Sequence, residues 1–167
     1  MAELSLEERL QPSLLDRLTD TEPDVKVESR AQRVLSINRL KRSVLRDLAW
    51  LLNSGNLETT EDLEAYPAVR NSVLNYGTLD LAGSTASSTD IPKVEREIRQ
   101  AILDFEPRIL ADSLSVRVVL DDEKMSHKTL SFLIEGQLWA QPLPIALYLS
   151  TDVDLETGNT TVHESSG

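Results

Sequence analysis

The chain has 167 residues and a formal net charge of −11, from 17 basic and 28 acidic residues. Hydrophobic residues make up 40% of it, which is typical of a globular protein and argues against full disorder. Cysteine is absent, which excludes disulfides, thiolate metal sites and a cysteine nucleophile. The negative charge argues against a nucleic-acid binder, and no apolar run approaches the ~18 residues of a membrane helix. We therefore expect no metal, no cofactor and no membrane insertion.

Residues 1–33 are predicted to form an N-terminal arm that is partly flexible. The first twelve residues are acidic and end at Pro12, so we expect no signal peptide. Residues 13–18 are predicted to form one or two helical turns, with Ser13 as the N-cap. The polar stretch that follows is interrupted by Pro23, which favours a linker.

The first strong helix is predicted from about Ser36 to Asn53. Its apolar residues recur at helical spacing and define one broad face: Ile37, Leu40, Val44, Leu48 and Leu51. Three basic residues fall on the opposite face, Arg39, Arg42 and Arg46. The basic stretch 29–48 contains one acid, Asp47. We expect Gly55 to end the helix in a left-handed conformation.

Residues 56–90 are predicted to be irregular, with a short helical turn around 67–74 and a flexible loop near 82–90. A second helix is predicted to begin after Asp90 as the N-cap and to bury Val94, Ile98, Ala101, Ile102 and Phe105. Pro107 is expected to end it, because proline lacks an N–H to donate.

Alternating apolar residues predict strands at 113–120, 129–140, 145–149 and 160–164. Their short connections favour an antiparallel meander. The predicted fold class is α+β, with N-terminal helices packed on a C-terminal antiparallel sheet of three to four strands. Residues 34–167 are expected to form a single domain.

Few residues offer catalytic chemistry. The sequence has no phosphate-binding glycine loop and no nucleophile elbow, and His127 and His163 are expected at the surface. Acidic side chains near the end of the second helix leave glycosidase chemistry open: Asp104, Glu106 and Asp112. However, Arg108 follows Glu106 closely and favours its charged form, which is wrong for a general acid. The segment FEPRI (105–109) is interpreted as a helix-to-strand junction with either a local ion pair or a charged pair that meets a partner.

Five segments, in their order along the chain, carry a resemblance to a known family. They are LLDRL (14–18), RSVLRDLAWLLN (42–53), YPAVRNSVLNYG (66–77), FEPRI (105–109) and FLIEGQLWAQPLP (132–144). Together they resemble the type VI secretion baseplate subunit family TssE, which is similar to the wedge proteins of contractile phage tails. The lysozyme-like label of those phage proteins does not establish hydrolysis.

The resemblance implies a cytoplasmic structural protein, recruited to the inner membrane with the secretion machine, and no enzyme. It implies that Glu106, Pro107 and Arg108 bind other wedge subunits, TssF, TssG and TssK. Arg39, Arg42 and Arg46 are weaker interface candidates. Peptidoglycan hydrolysis with Glu106 as the acid is the alternative.

The family also implies that this sheet starts the contractile sheath, made of TssB and TssC, by accepting their strands at an open edge. Either the third strand or the strand at 160–164 is expected to supply that edge.

Overall fold

The computed structural model describes residues 14–19, 37–85, 89–119, 129–140 and 143–165. Its helices and strands, in chain order, are α1 (Leu14–Leu18), α2 (Ile37–Leu52), α3 (Pro67–Arg70), α4 (Ile91–Phe105), β1 (Ser115–Val119), β2 (Thr129–Leu138), β3 (Ile145–Asp154) and β4 (Thr160–Glu164). Short 3₁₀ turns lie at Leu57–Thr59, Val73–Asn75 and Ala111–Ser113. This order confirms the predicted α+β class.

The four strands form one antiparallel sheet in the order β1-β2-β3-β4. β2 and β3 pair over their full lengths, from Thr129 opposite Asp154 to Leu138 opposite Ile145. The third strand is therefore central, and the expectation that it supplies an open edge is wrong. It is central because the turn after it returns the chain as β4, which pairs with its outer side.

Helices α2 and α4 cover one face of the sheet, with α2 against β4 and α4 against β1. The predicted alternation of β2 is confirmed, because these side chains are all buried: Leu130, Phe132, Ile134 and Leu138. The predicted face of α4 is buried as well, with Phe105 half-buried at its end. A strand has a side-chain period of two and a helix of 3.6, so two simple patterns supply most of this core.

The predicted cap is present at the start of α4 and absent at the end of α2. Asp90 accepts a hydrogen bond from the Lys93 N–H, which confirms the predicted N-cap of α4. Gly55 does not have a positive φ, so the predicted left-handed cap after α2 is wrong. Instead Gly55 lies in a bridge with Thr78, and the neighbouring Gly77 has a φ of +129°. The pairing of the segment after α2 with the segment around residue 78 therefore decides the main-chain conformation at Gly55.

The predicted turn around 67–74 is confirmed as α3 and the 3₁₀ turn that follows it. The predicted helix of the arm is confirmed as α1, whereas Ser13 lies outside the described residues. The rest of the arm, His127 and the centre of the predicted loop near 82–90 are also outside them. The predicted division into arm and domain therefore stays a prediction.

Candidate functional site

The segment FEPRI forms a turn that is fastened to the end of β2. The Ile109 N–H donates to the Glu106 carbonyl at 3.1 Å, and Pro107 is the second residue of this turn. The Trp139 N–H then donates to the Arg108 carbonyl at 2.7 Å. The predicted strand does not begin here, because this segment makes only an isolated bridge to β2 and β1 begins at Ser115. The turn fixes the main chain on both sides of the Arg108 side chain.

Glu106 and Arg108 form a tight ion pair. The Glu106 side chain is 4% exposed, whereas that of Arg108 is 22% exposed. Arg108 Nε donates to one carboxylate oxygen at 2.6 Å, and Nη2 donates to the other. The Arg108 main-chain N–H adds a third bond at 3.2 Å. A bidentate arginine supplies the charged and geometrically matched partner that a buried carboxylate needs.

The pair continues into a larger group of side chains that we call the Arg108 cluster. It consists of Asp16, Ser43, Arg46, Asp47, Glu106 and Arg108. Arg108 also donates to Asp47 at 2.6 Å and to Ser43 Oγ at 2.9 Å. Asp47 pairs with Arg46 at 2.8 Å, and Arg46 pairs with Asp16 at 2.7 Å. The cluster therefore joins α1, α2 and the α4–β1 junction.

The charges of this cluster act on its own members and on a neighbouring tyrosine. Burial works against the charged form of Arg108, but its bonds to Glu106 and Asp47 prevail and raise its pKa. The bond to Asp16 is the main cause that raises the pKa of Arg46. Burial and then the negative charges of Asp47 and Glu106 raise the pKa of Tyr76, which packs edge-to-face on Phe105 at 5.2 Å.

Only the outer part of the cluster is accessible to another molecule. Glu106 is buried, whereas Pro107 is exposed and the Arg108 and Asp47 side chains are 22% and 24% exposed. Arg46 is 33% exposed and lies over the exposed Trp50 ring at 5.1 Å. The surface presented to solvent thus combines proline, guanidinium, carboxylate and indole groups, of which arginine and tryptophan are enriched in interface hot spots.

The predicted basic residues of α2 divide into two groups. Arg46 belongs to the Arg108 cluster, whereas Arg42 is exposed and donates to the Asn38 carbonyl of its own helix. Arg39 is exposed in the N-terminal part of α2. The sequence prediction missed Asp16 and Ser43 as cluster members, since nothing in their spacing pairs them with residue 108. Asp47 carried a signal, because it is the one acid in the basic stretch 29–48.

The alternative carboxylates do not assemble around Glu106 into an open site. Asp104 is exposed and accepts from Gln100, and Asp112 is exposed in the turn before β1. Across the described ranges, no group of three or more His, Asp or Glu residues is placed to hold a metal ion. Within those same ranges, no helix is both long and apolar enough to cross a membrane.

The motif YPAVRNSVLNYG folds into a short loop with a structural and an exposed part. Asn75 is buried; its side chain accepts from the Glu58 N–H and donates to the Arg70 carbonyl. Three large apolar residues of the same motif are exposed: Tyr66, Val73 and Leu74. The polar residue of this motif therefore holds the loop, and its apolar residues face solvent.

The outer edge of β4 follows from its hydrogen-bond register. The Ser165 N–H donates to Tyr148 and the Asp154 N–H donates to Asn159, so bonded pairs recur at every second residue along β4. The main-chain groups of Thr160, Val162 and Glu164 consequently point away from β3. No described residue bonds those of Val162 and Glu164 in the structure.

The opposite edge of the sheet is partly covered by side chains of α4. Glu95 accepts from the Val118 N–H at 2.7 Å, and Arg99 donates to the Leu114 carbonyl at 3.2 Å. Such contacts occupy main-chain groups that an added strand needs. Among the residues that the structure describes, β4 is therefore the more open of the two edges.

A comparison with protein families matches residues 38–143 to the family described as baseplate wedge protein gp25. The match covers more than half of the chain and includes α2, α4, FEPRI and β2. The chain belongs to the gp25 baseplate wedge family. This membership supports a structural role in a phage-tail-like baseplate and contacts with other baseplate components in general. Neither the curated proteins nor the solved structures contain a match to the chain.

Proposed function

We propose that this gp25-family protein is a non-enzymatic component of a type VI secretion baseplate. In this proposal it bridges wedge subunits of the TssF, TssG and TssK types and starts a sheath of TssB and TssC types. It acts in the cytoplasm, at the cytoplasmic face of the inner membrane. The observation that carries the sheath role is the pair of outward-pointing main-chain positions on β4, Val162 and Glu164.

The wedge contact is proposed at the exposed side of the Arg108 cluster. Pro107 and the outer part of Arg108 are placed to touch a partner, whereas the buried Glu106 acts by holding the guanidinium in position. A fixed guanidinium loses little side-chain freedom on binding, and its second Nη1 N–H is left to donate to a partner's carboxylate or carbonyl group. Arg39 and Arg42 add basic groups on α2 as weaker contacts for the same partners, and Arg46, which is paired with two carboxylates, adds its contact with the Trp50 ring.

The contacts of Glu106 favour this role over a hydrolase. A general acid must carry a proton and must reach the substrate oxygen. Glu106 instead accepts three hydrogen bonds from Arg108 and is almost inaccessible. Clearing of a peptidoglycan suspension by the purified protein, abolished in Glu106→Gln, would contradict the non-enzymatic proposal.

The sheath role is tested with Glu164→Pro, because proline removes an N–H that points away from β3. Glu164→Ala is the matched control: it also removes the exposed Glu164–Lys41 ion pair but keeps the N–H. We expect sheath subunits to co-purify with the tagged wild type and the alanine variant, and not with the proline variant. Equal recovery with both variants would overturn strand addition at β4.

The wedge role is tested at Pro107, which is exposed and can be changed without altering the side chains of the cluster. Pro107→Glu adds bulk and negative charge at the proposed contact. Pro107→Ala is the matched control, because it makes the same main-chain change, a restored N–H and a freed φ angle, without the added charge. We expect the glutamate variant to lose the wedge subunits and to retain its unfolding midpoint within the range of the alanine variant. Undiminished wedge assembly with Pro107→Glu would contradict the proposed contact.

A further inference from the structure

The side chain that follows α2 occupies one position of the β4 edge. Asn53 Oδ1 accepts from the Thr160 N–H at 2.8 Å, and Asn53 Nδ2 donates to the Thr160 carbonyl at 2.8 Å. Nδ2 also donates to the Ala49 carbonyl at 2.7 Å, which fixes the amide to the end of its own helix. A primary amide thus makes the same two bonds that a residue of a neighbouring antiparallel strand makes.

Of the three residues of β4 whose main-chain groups point away from β3, this contact occupies one and leaves two accessible. Thr160 is closed by Asn53, and its hydroxyl donates to the Leu52 carbonyl at 3.3 Å. Val162 and Glu164 remain the positions at which an extended segment can add. The end of α2 therefore stands at one end of the open edge.

A blocked position at the end of an edge restricts the register in which a strand can add to it. Side chains along a strand alternate with a period of two, so a slip of two residues keeps every side chain on its original face. The pattern of apolar and polar residues consequently discriminates poorly between such registers. A physical stop at one end discriminates against a slip toward that end, because the slipped strand would have to displace the amide from Thr160.

We propose that Asn53 is a register stop for the strand that adds to β4. The occupant is an extended segment of a partner protein, recognised by its main-chain N–H and C=O groups at Val162 and Glu164. This inference rests on the proposed strand addition and assigns a residue that controls it. Without the amide, the Thr160 main-chain groups lose two bonds at a nearly buried position, which favours their pairing with the added strand.

The test is disulfide mapping on the full chain with sheath subunits purified from the same cells. The chain contains no native cysteine, so Thr161→Cys on the outer face of β4 reports a single position. Cysteines are introduced one at a time along the added strand of the sheath subunit. We expect one crosslinked position with wild-type Asn53. In Asn53→Ala the yield at the position two residues away rises at least about threefold, the weight of one modest hydrogen bond.

Two further variants separate the stop from a merely structural contact. Ser54→Ala removes a side-chain bond to the Trp50 carbonyl at the same end of α2 and leaves Thr160 untouched. It should retain the wild-type crosslink. Asn53→Asp keeps the acceptor for the Thr160 N–H and loses the donor to its carbonyl, so an intermediate yield at the second position is expected.

The outcomes distinguish the two proposals. A single unchanged crosslink in Asn53→Ala overturns the stop and leaves strand addition intact. Crosslinks in two registers in the wild type would also overturn the stop and leave strand addition intact. Absence of any crosslink to β4 in the wild type overturns strand addition itself, and the stop with it.

Discussion

Arg108→Met is expected to cost about 2–4 kcal/mol of the free energy of unfolding. The change leaves Glu106, whose side chain is 4% exposed, with only the Arg108 main-chain N–H among its three bonds. Removing one partner of a buried ion pair costs roughly 3–5 kcal/mol. The lower range applies here because Arg108 is 22% exposed and water can enter part of the vacated space.

The measurement is urea unfolding at pH 7, followed by the fluorescence of Trp50 and Trp139. Arg70→Met is the matched control, because it removes an ion pair to Glu58 in which both side chains are at least 34% exposed. That pair should contribute at most about 1 kcal/mol. A domain of this size has roughly 5–15 kcal/mol in total, so both variants should fold.

A double-mutant cycle isolates the pair from the rest of the cluster. Glu106→Gln removes the charge that Arg108→Met leaves unpaired, so the double variant should be more stable than the sum of the single losses predicts. We expect a coupling of at least about 1 kcal/mol between these contacting residues. Additive losses, or an Arg108→Met loss no larger than that of Arg70→Met, would refute the reasoning from burial.

Three further changes test other parts of the fold. Gly77→Ala should lower the free energy of unfolding in urea by about 2–4 kcal/mol, because φ is +129° and a Cβ would lie 2.3 Å from the Ser54 carbonyl oxygen. A loss below about 1 kcal/mol, which is the effect of an ordinary substitution, would contradict this. The raised pKa of Tyr76 means that the folded state keeps a proton that the unfolded state loses above its ordinary pKa of 10.0. Stability should therefore be unaffected by this group below pH 10 and fall above it, less steeply in Tyr76→Phe than in the exposed control Tyr66→Phe. Asp90→Ala should cost about 1 kcal/mol by removing the N-cap of α4, measured by the same urea unfolding, and no loss would contradict that cap.

Local pattern was sufficient for most of the fold. The apolar face of α4 and the alternation of β2 set both elements and their buried sides, because burying either face requires only the intrinsic period of a helix or strand. The N-cap at Asp90 was predictable for a similar reason, since the cap bond closes within one helical turn. The predicted left-handed Gly55 failed because that position depends on a contact with residue 78, far along the chain.

The candidate site was predictable only as a segment. Sequence placed Glu106, Pro107 and Arg108 at a helix end, and the family resemblance gave them a partner role. It did not indicate that Asp16 and Ser43 join them, because those residues are more than sixty positions away and make contact only when α1 and α2 pack. Which member is buried and which is accessible is likewise a property of packing.

The sequence by itself determined the class of fold, the order of its elements and the composition of its core, because these follow from short-range periodicity. The tertiary structure decided that β3 is central, that β4 is the more open edge within the described part of the chain and that Asn53 closes one end of it. A hydrogen bond between residues 53 and 160 joins groups that are 107 positions apart. No local pattern encodes such a pair, because its geometry exists only after α2 has docked on the sheet.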